Sequence, residues 1–253
     1  MLLAIDIGNT QTVLATFDGD RLVHSWRVRT IPHTTADELA LLYRGLLTGD
    51  DVTITGVAAC STVPALTREL ATLFDRYYSD VPTVIIGPGV KTGVRLAVDN
   101  PKEVGTDRVM NSLAAFTLYG GPVIVVDFGT STNFDVIGSS GEFLGGALAA
   151  GVEVSVEALA NRAAALREVE LIKPPSVIGK NTVASMQSGT IYGFAGQVDG
   201  LVRRIDAEIG QVAAVIATGG LAGLVADETS VITHREPNLT LIGLRLVFDR
   251  TFG

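Results

Sequence analysis

Cysteine is nearly missing. Cys60 is the only one in 253 residues, so no intrachain disulfide can form and a reducing compartment is expected. Histidine is almost as sparse: His24, His33 and His234 are scattered through the chain, and with no Cys/His cluster a transition-metal centre is disfavoured. No basic run occurs. With 27 acidic against 19 basic residues the formal net charge is −8, which argues against nucleic acid or an anionic membrane as the main partner. An anionic ligand stays open, because backbone amides and a metal ion supply local positive potential. Long apolar runs are lacking too. The longest uncharged stretches, residues 109–126 and 209–226, are broken by Gly120-Gly121-Pro122 and by Gly210, Gln211, Thr218, Gly219, Gly220 and Gly223. Neither offers the ~20 apolar residues of a spanning helix. At the N-terminus no basic segment precedes the apolar residues, and Asp6 comes too early for a signal peptide. A cytoplasmic protein is expected. P-loops are absent as well: Gly87-Pro88-Gly89-Val90-Lys91-Thr92 has valine before the lysine, and Gly179-Lys180-Asn181 lacks the hydroxyl after it.

What the chain does have is apolar residues, 47% against 18% charged, enough for a sizeable core in one large domain or two small ones sharing a cleft. Its N-terminal stretch, Leu2-Leu3-Ala4-Ile5-Asp6-Ile7-Gly8-Asn9-Thr10-Gln11-Thr12, reads as a buried strand, a tight turn and a second strand beginning near Val13. Gly8 lets backbone N–H groups approach a ligand, Thr10 and Thr12 carry hydroxyls that suit phosphate oxygens, and Asp6 can hold a hydrated Mg²⁺. A buried aspartate before a plain hairpin gives the same pattern.

A third strand is expected over 22–28, then a helix over 37–47 with Thr35 and Glu38 as a capping box. A buried strand over 54–59, a helix starting at Pro64 and a short strand over 82–86 follow. This order predicts a mixed sheet with helices packed on it. The pattern then repeats. An apolar strand over 123–127 again ends in aspartate, followed by Gly129, Thr130, Ser131 and Thr132. Shifted by 121 positions, Asp6 falls on Asp127, Gly8 on Gly129 and Thr10 on Ser131. Helices over 155–169 and about 182–209, a strand over 213–218 and a closing helix over 239–248 complete the second half. Two copies of one device imply two similar α/β domains, 1–113 and 114–253, joined near a helix over 104–119 with ligands in the cleft between them.

Two facing aspartate–glycine turns suit a nucleoside triphosphate and its metal. Gly219-Gly220 directly after a buried strand suits either a nucleoside lying on the backbone or a closely packed helix entry. In Asp99-Asn100-Pro101-Lys102-Glu103-Val104-Gly105-Thr106-Asp107-Arg108, an aspartate beside an arginine offers a general base and an anion clamp, or a capped helix start with a surface ion pair. Cys60 reads as a small core residue rather than a nucleophile.

Taken together, Asp6-Ile7-Gly8-Asn9-Thr10, Asn100-Pro101 with Gly105-Thr106-Asp107-Arg108, Asp127-Phe128-Gly129-Thr130, Gly179-Lys180-Asn181-Thr182 and Thr218-Gly219-Gly220 resemble the type III pantothenate kinases. That family belongs to the superfamily of acetate and sugar kinases, chaperone ATPases and actin. The resemblance implies two ribonuclease H-like (actin-like ATPase) domains with mixed sheets flanked by helices. It also implies transfer of the ATP γ-phosphoryl group to pantothenate, giving 4′-phosphopantothenate, the first step of coenzyme A synthesis. On the matching positions Asp6, Ile7, Gly8, Asn9, Thr10, Gln11, Thr12 and Val13 would hold ATP, with Asp6 near Mg²⁺ and Thr130 touching the nucleotide. Asp107 would be the base. Gly105, Thr106, Asp107 and Arg108 would bind pantothenate, with Arg108 on its carboxylate. Asp127 would bind K⁺ or NH₄⁺, and Thr182 would complete the substrate site across a homodimer. Where many relatives carry tyrosine before Asp-Asn-Pro this chain has Val98, which implies a more aliphatic pocket wall. A non-catalytic regulatory accessory factor of the same family is the alternative, disfavoured by the intact Asp6, Asp107, Arg108 and Asp127.

Overall fold

The computed structural model describes residues 1–48, 52–163, 166–167 and 169–253. Their contacts group into two compact units. The first comprises Met1–Val94, Asp99–Ala114 and Leu239–Gly253, and the second Arg95–Val98 and Ala115–Asn238. The expected division at 113/114 differs from this grouping chiefly in the final helix, which clusters with the first unit.

In the first unit, strands β1 (Leu2–Ile7), β2 (Gln11–Asp18), β3 (Arg21–Arg29), β4 (Gly56–Ser61) and β5 (Thr83–Ile85) form one sheet in the order β3-β2-β1-β4-β5. β1, β2 and β3 run antiparallel, while β4 and β5 run parallel to β1. The alternation of β1 sets the layers: Leu3, Ile5 and Ile7 point to one face, where they pack with Leu39 and Tyr43 of α1 (Ala36–Leu46) and Leu66 and Leu70 of α2 (Pro64–Tyr77). Helix α1 starts as the sequence predicts. The Thr35 side chain accepts from the Glu38 amide at 3.3 Å, and the Glu38 carboxylate accepts from the Thr35 amide at 2.8 Å. Leu2, Ala4 and Asp6 alternate to the opposite face of the sheet. The closing helix, α7 (Leu239–Phe252), packs against β1, β2 and β4. The helix that follows the Asn100-Pro101 turn, α3 (Thr106–Tyr119), has Met110 in contact with Gly243 of α7, where an added Cβ would overlap the Met110 backbone.

The second unit repeats the plan. Strands β6 (Val123–Phe128), β7 (Ser131–Ile137), β8 (Phe143–Ala150), β9 (Ala214–Thr218) and β10 (His234–Arg235) form a sheet in the order β10-β9-β6-β7-β8. Replacing each strand by its counterpart gives the order and directions of the first sheet. Ile124, Val126, Phe128 and Phe134 bury one face together with Val198 and Val202 of α5 (Thr182–Ile209). A single helical turn, α6 (Ala222–Val225), follows β9 and adds Ala222 and Val225 to the same core. The helix expected over 155–169 is α4 (Val152–Arg162); residues 164, 165 and 168 lie outside the described set. The two-residue β10 has no apolar alternation and both residues are exposed, so no sequence pattern announces it.

The strand expected over 54–59 is shifted to 56–61 because pairing with β1 fixes its register, Leu2 opposite Gly56 and Asp6 opposite Cys60. Cys60 therefore sits within β4 beside the first aspartate.

Candidate active site

Asp6 occupies the next-to-last position of β1, on the face away from α1 and α2. The turn after it is closed by the Gly8 amide donating to the Gln11 carbonyl at 3.0 Å, with Asn9, Thr10 and Gln11 exposed. β3 ties this turn down from the side, the Thr30 amide donating to the Thr10 carbonyl at 2.9 Å. Thr12 behaves differently from Thr10. It pairs with Ile7, faces the core, and shares a buried hydrogen bond of 2.9 Å with the Thr30 hydroxyl. The Thr12 hydroxyl is thus used inside the sheet, which leaves Thr10 as the exposed hydroxyl of the turn.

Asp107 stands in the first turn of α3. The Thr106 hydroxyl donates to the Ser61 carbonyl at the end of β4, at 3.4 Å, and the Thr240 hydroxyl of α7 donates to Asn111 Oδ1, one turn further along α3, at 2.8 Å. Gly105 is required by the carboxylate itself: a Cβ there would overlap Asp107 Oδ1. That oxygen is buried and has no hydrogen-bond donor. Burial pushes the Asp107 carboxyl above its ordinary range, opposed by the Arg108 amide and guanidinium at the start of the helix. Arg108 is half-buried on the next position.

Asp6 feels the charge of Asp107. The Asp6 carboxyl is pushed up from 3.8 to about 7, chiefly by burial and then by the charge of Asp107. The Cys60 thiol, donating to Asp6 Oδ1 at 3.3 Å, and the Arg27 guanidinium pull the other way. Asp6 nevertheless keeps part of its surface open, so a ligand can reach it. Cys60 is fully buried, and its thiol is pushed well up by burial and by both carboxylates, so it is an inert donor rather than a nucleophile. Two desolvated acids of like charge with one unpartnered oxygen form a site short of positive charge, which a divalent cation fits. Among the described residues no three His, Cys, Asp or Glu side chains gather, so such an ion would rest on one or two carboxylates and on phosphate oxygens, the usual manner of Mg²⁺.

In the second unit Asp127 holds the place of Asp6 on β6. The Gly129 amide donates to the Ser131 carbonyl at 3.0 Å, and Gly129 and Thr130 are exposed. This hairpin is one residue shorter: Ile7 pairs with Thr12 in the first copy, Phe128 with Thr132 in the second. Thr12 therefore corresponds to Thr132, and beyond the turn the offset of 121 falls to 120. Gly219, after β9, has φ +89°, and a Cβ there would strike Asp127 Oδ1 and the Phe128 carbonyl. Of the two readings of the glycine pair, close packing is what Gly219 displays. Thr182 opens α5, exposed, behind Asn181, whose side chain caps the helix by accepting from the Ala184 amide at 2.9 Å. The sequence reading missed Cys60 and Arg27 as neighbours of Asp6, because only strand register brings them there.

Duplicated sheets of this order, each with an aspartate before a glycine turn, define the two-domain fold of the actin-like ATPases and sugar kinases. The inorganic polyphosphate/ATP-glucomannokinase of Arthrobacter sp. strain KM superposes with a TM-score of 0.55 at 14% identity, over 99% of this chain and 98% of that one. A ROK family glucokinase from Streptomyces griseus does so with a TM-score of 0.52 at 14% identity, over 96% of this chain and 97% of that one. At such identity the likeness is one of fold. Sequence goes further. The family model of the type III pantothenate kinases matches residues 2–204, and a type III pantothenate kinase of Salinispora arenicola (strain CNS-205) is 67% identical over 250 residues, 99% of each chain. The chain belongs to the type III pantothenate kinase family.

Proposed function

We infer that this protein phosphorylates pantothenate with ATP to give 4′-phosphopantothenate, the entry step of coenzyme A synthesis. The observation that carries the chemistry is the carboxylate pair of Asp6 and Asp107, both pushed up by burial, with the charge of Asp107 raising Asp6 further and Asp107 Oδ1 left without a donor. Phosphoryl transfer is dominated by positioning and charge neutralisation, so exposed amides, small hydroxyls and well-placed acids suffice. The amides and side chains of Asp6, Ile7, Gly8, Asn9, Thr10, Gln11, Thr12 and Val13 hold the ATP phosphates, the Thr12 contribution coming from its backbone. Thr130 touches the nucleotide. Asp6 would hold Mg²⁺ directly or through water, and the ion would supply positive charge to the phosphate oxygens. Asp107 Oδ1 accepts the proton of the attacking hydroxyl. It is free to do so because nothing else donates to it, and burial strengthens its affinity for that proton. Gly105 and Thr106 shape the wall beside the base, and Arg108 pairs with the substrate carboxylate.

Asp127, half-buried at the end of β6, is the place for K⁺ or NH₄⁺. A single carboxylate beside a turn suits a weakly held monovalent ion. Thr182 completes the substrate site from the second subunit of a homodimer. Support for that assembly comes from three apolar side chains near Thr182 in sequence, Val177, Ile178 and Val183, exposed at 64%, 79% and 51%. The compartment is the cytoplasm. Among the described residues no helix is long and apolar enough to cross a membrane.

The test is ADP release with pantothenate and with other small hydroxy acids, in K⁺, NH₄⁺ and Na⁺, accompanied by light scattering. Turnover with pantothenate in K⁺ or NH₄⁺ alone, from a dimer, is the expected result. Absence of turnover with pantothenate would overturn the assignment. Full rate in Na⁺ would remove the role given to Asp127, and a monomer that turns over would remove that of Thr182.

A further inference from the structure

β3 carries a residue on the Asp6 face that neither composition nor motif singles out. Across the first sheet the register sets Cys60, Asp6, Val13 and Arg27 in one row over β4, β1, β2 and β3. Residues directly paired in this way project from the same face. Arg27 is therefore on the face of Asp6, two strand spacings away, about 10 Å between backbones. Trp26 and Val28 alternate to the other face and pack into the core of α1 and α2. The Arg27 side chain is exposed, and its guanidinium donates to Gln11 Oε1 at 2.7 Å. Among the described residues no carboxylate closes an ion pair with it, so Gln11 Oε1 is the one acceptor its guanidinium contacts.

A surface arginine on an outer strand needs no function, but two facts speak against that reading. The equivalent row of the second sheet is Thr218, Asp127, Asn133 and Leu148. The shared scaffold tolerates an exposed leucine at the position of Arg27, so the fold does not demand a cation there. Arg27 also reaches Asp6 electrostatically, in a chain of net charge −8 whose site already collects two desolvated acids.

We propose that Arg27, fixed by Gln11, is a phosphate-binding residue of the kinase, its guanidinium forming charge-assisted hydrogen bonds to the β- or γ-phosphate oxygens of ATP at the 8–11 turn. This rests on the placement of the phosphates at that turn. Gln11 then has two duties: its backbone closes the turn with Gly8, and its side chain holds the guanidinium in position before ATP arrives, so that little ordering is left for the binding step. The planar fork matches phosphate geometry, which an ammonium group cannot reproduce bidentately.

Calorimetric titration of ATP and AMP with Mg²⁺, together with steady-state kinetics, tests this in Arg27→Ala, Arg27→Lys, Asp6→Asn and, as a charge control at the far end of β3, Arg21→Ala. For Arg27→Ala the affinity for ATP falls about 10- to 100-fold, the span of a charged hydrogen bond, while AMP affinity and the pantothenate KM stay unchanged. Lysine restores part of the loss, and Arg21→Ala matches the parent. Equal losses for ATP and AMP, or no loss for ATP, would overturn the role of Arg27. If Asp6→Asn leaves ATP binding and turnover intact, the placement of the phosphates is itself wrong. If Asp6→Asn is impaired and Arg27→Ala is not, only the inference about Arg27 fails.

Discussion

Replacing Asp6 by asparagine should abolish turnover and at the same time make the ligand-free protein more stable. The folded-state carboxyl titrates at about 7 rather than 3.8, so between those values the native state holds a proton that the unfolded chain has released. Stability contributed by that proton is present below the unfolded value of 3.8 and is lost as pH rises through about 7. A displacement of about three units corresponds to about 4 kcal/mol as an upper bound. Asp6 keeps part of its surface in solvent, so screening reduces the expected figure to about 1–2 kcal/mol. The asparagine side chain would carry no charge at any pH, and its amide oxygen would still accept from the Cys60 thiol. Thermal unfolding without Mg²⁺ or nucleotide is the assay. The two proteins should melt together only below the unfolded value of 3.8, at about pH 3, and at about pH 8 the Asp6→Asn variant should melt about 2–8 °C higher. Adding Mg²⁺ and ATP should raise the melting temperature of the parent more than that of the variant, since both ligands favour the charged form. A variant that melts at or below the parent under the alkaline condition would show that the site is not short of positive charge, and the assignment of a cation to Asp6 would fall with it.

Asp107→Asn should lower kcat by about 10²- to 10⁴-fold with little change in the KM for ATP, since only the proton acceptor is removed; a rate within a few-fold of the parent in the ADP-release assay would refute the role of base. Gly105→Ala should keep its circular dichroism spectrum yet lose at least about 10-fold in kcat, because the new methyl group displaces the Asp107 carboxylate and geometry of about 1 Å decides such rates. Gly219→Ala combines a positive φ with a clash on Asp127, so titration with K⁺ should show a weakened activation constant; unchanged K⁺ dependence would separate Asp127 from the monovalent ion.

The sequence carried the local elements well wherever one period dominated. The capping box at Thr35 and Glu38, proline at the head of α2 and the 28 residues of α5 were each legible, because caps and periodicity are written in neighbouring residues. The duplication was legible too, since aspartate, glycine and threonine recur at nearly constant spacing. Register was not. Which residues flank Asp6 depends on how β4 and β3 pair across the sheet, a non-local choice settled by burial of Leu3, Ile5 and Ile7 on one face. Cys60 therefore passed for an ordinary core residue and Arg27 for no residue of note. The buried side of Thr12 was hidden for the same reason: its hydroxyl resembles that of Thr10 in composition, and only strand alternation sends the two apart. Helix α4 closed earlier than its apolar pattern suggested, at Arg162.

The return of α7 to the first sheet has a consequence for how the protein is made. On a ribosome β1, β2 and β3 emerge well before the helix that covers β1, β2 and β4 and contacts Met110 near Asp107, which is translated only after the second unit, Ala115–Asn238, has been made. At ordinary elongation rates that interval is roughly 6–25 s, during which the Asp6 face has no cover from α7. The tie from Thr240 to Asn111 of α3 forms only once Leu239–Phe252 has been made. The first unit is thus completed by a helix synthesised after the second unit, and a nascent chain stalled within the second unit would carry both carboxylates but not α7.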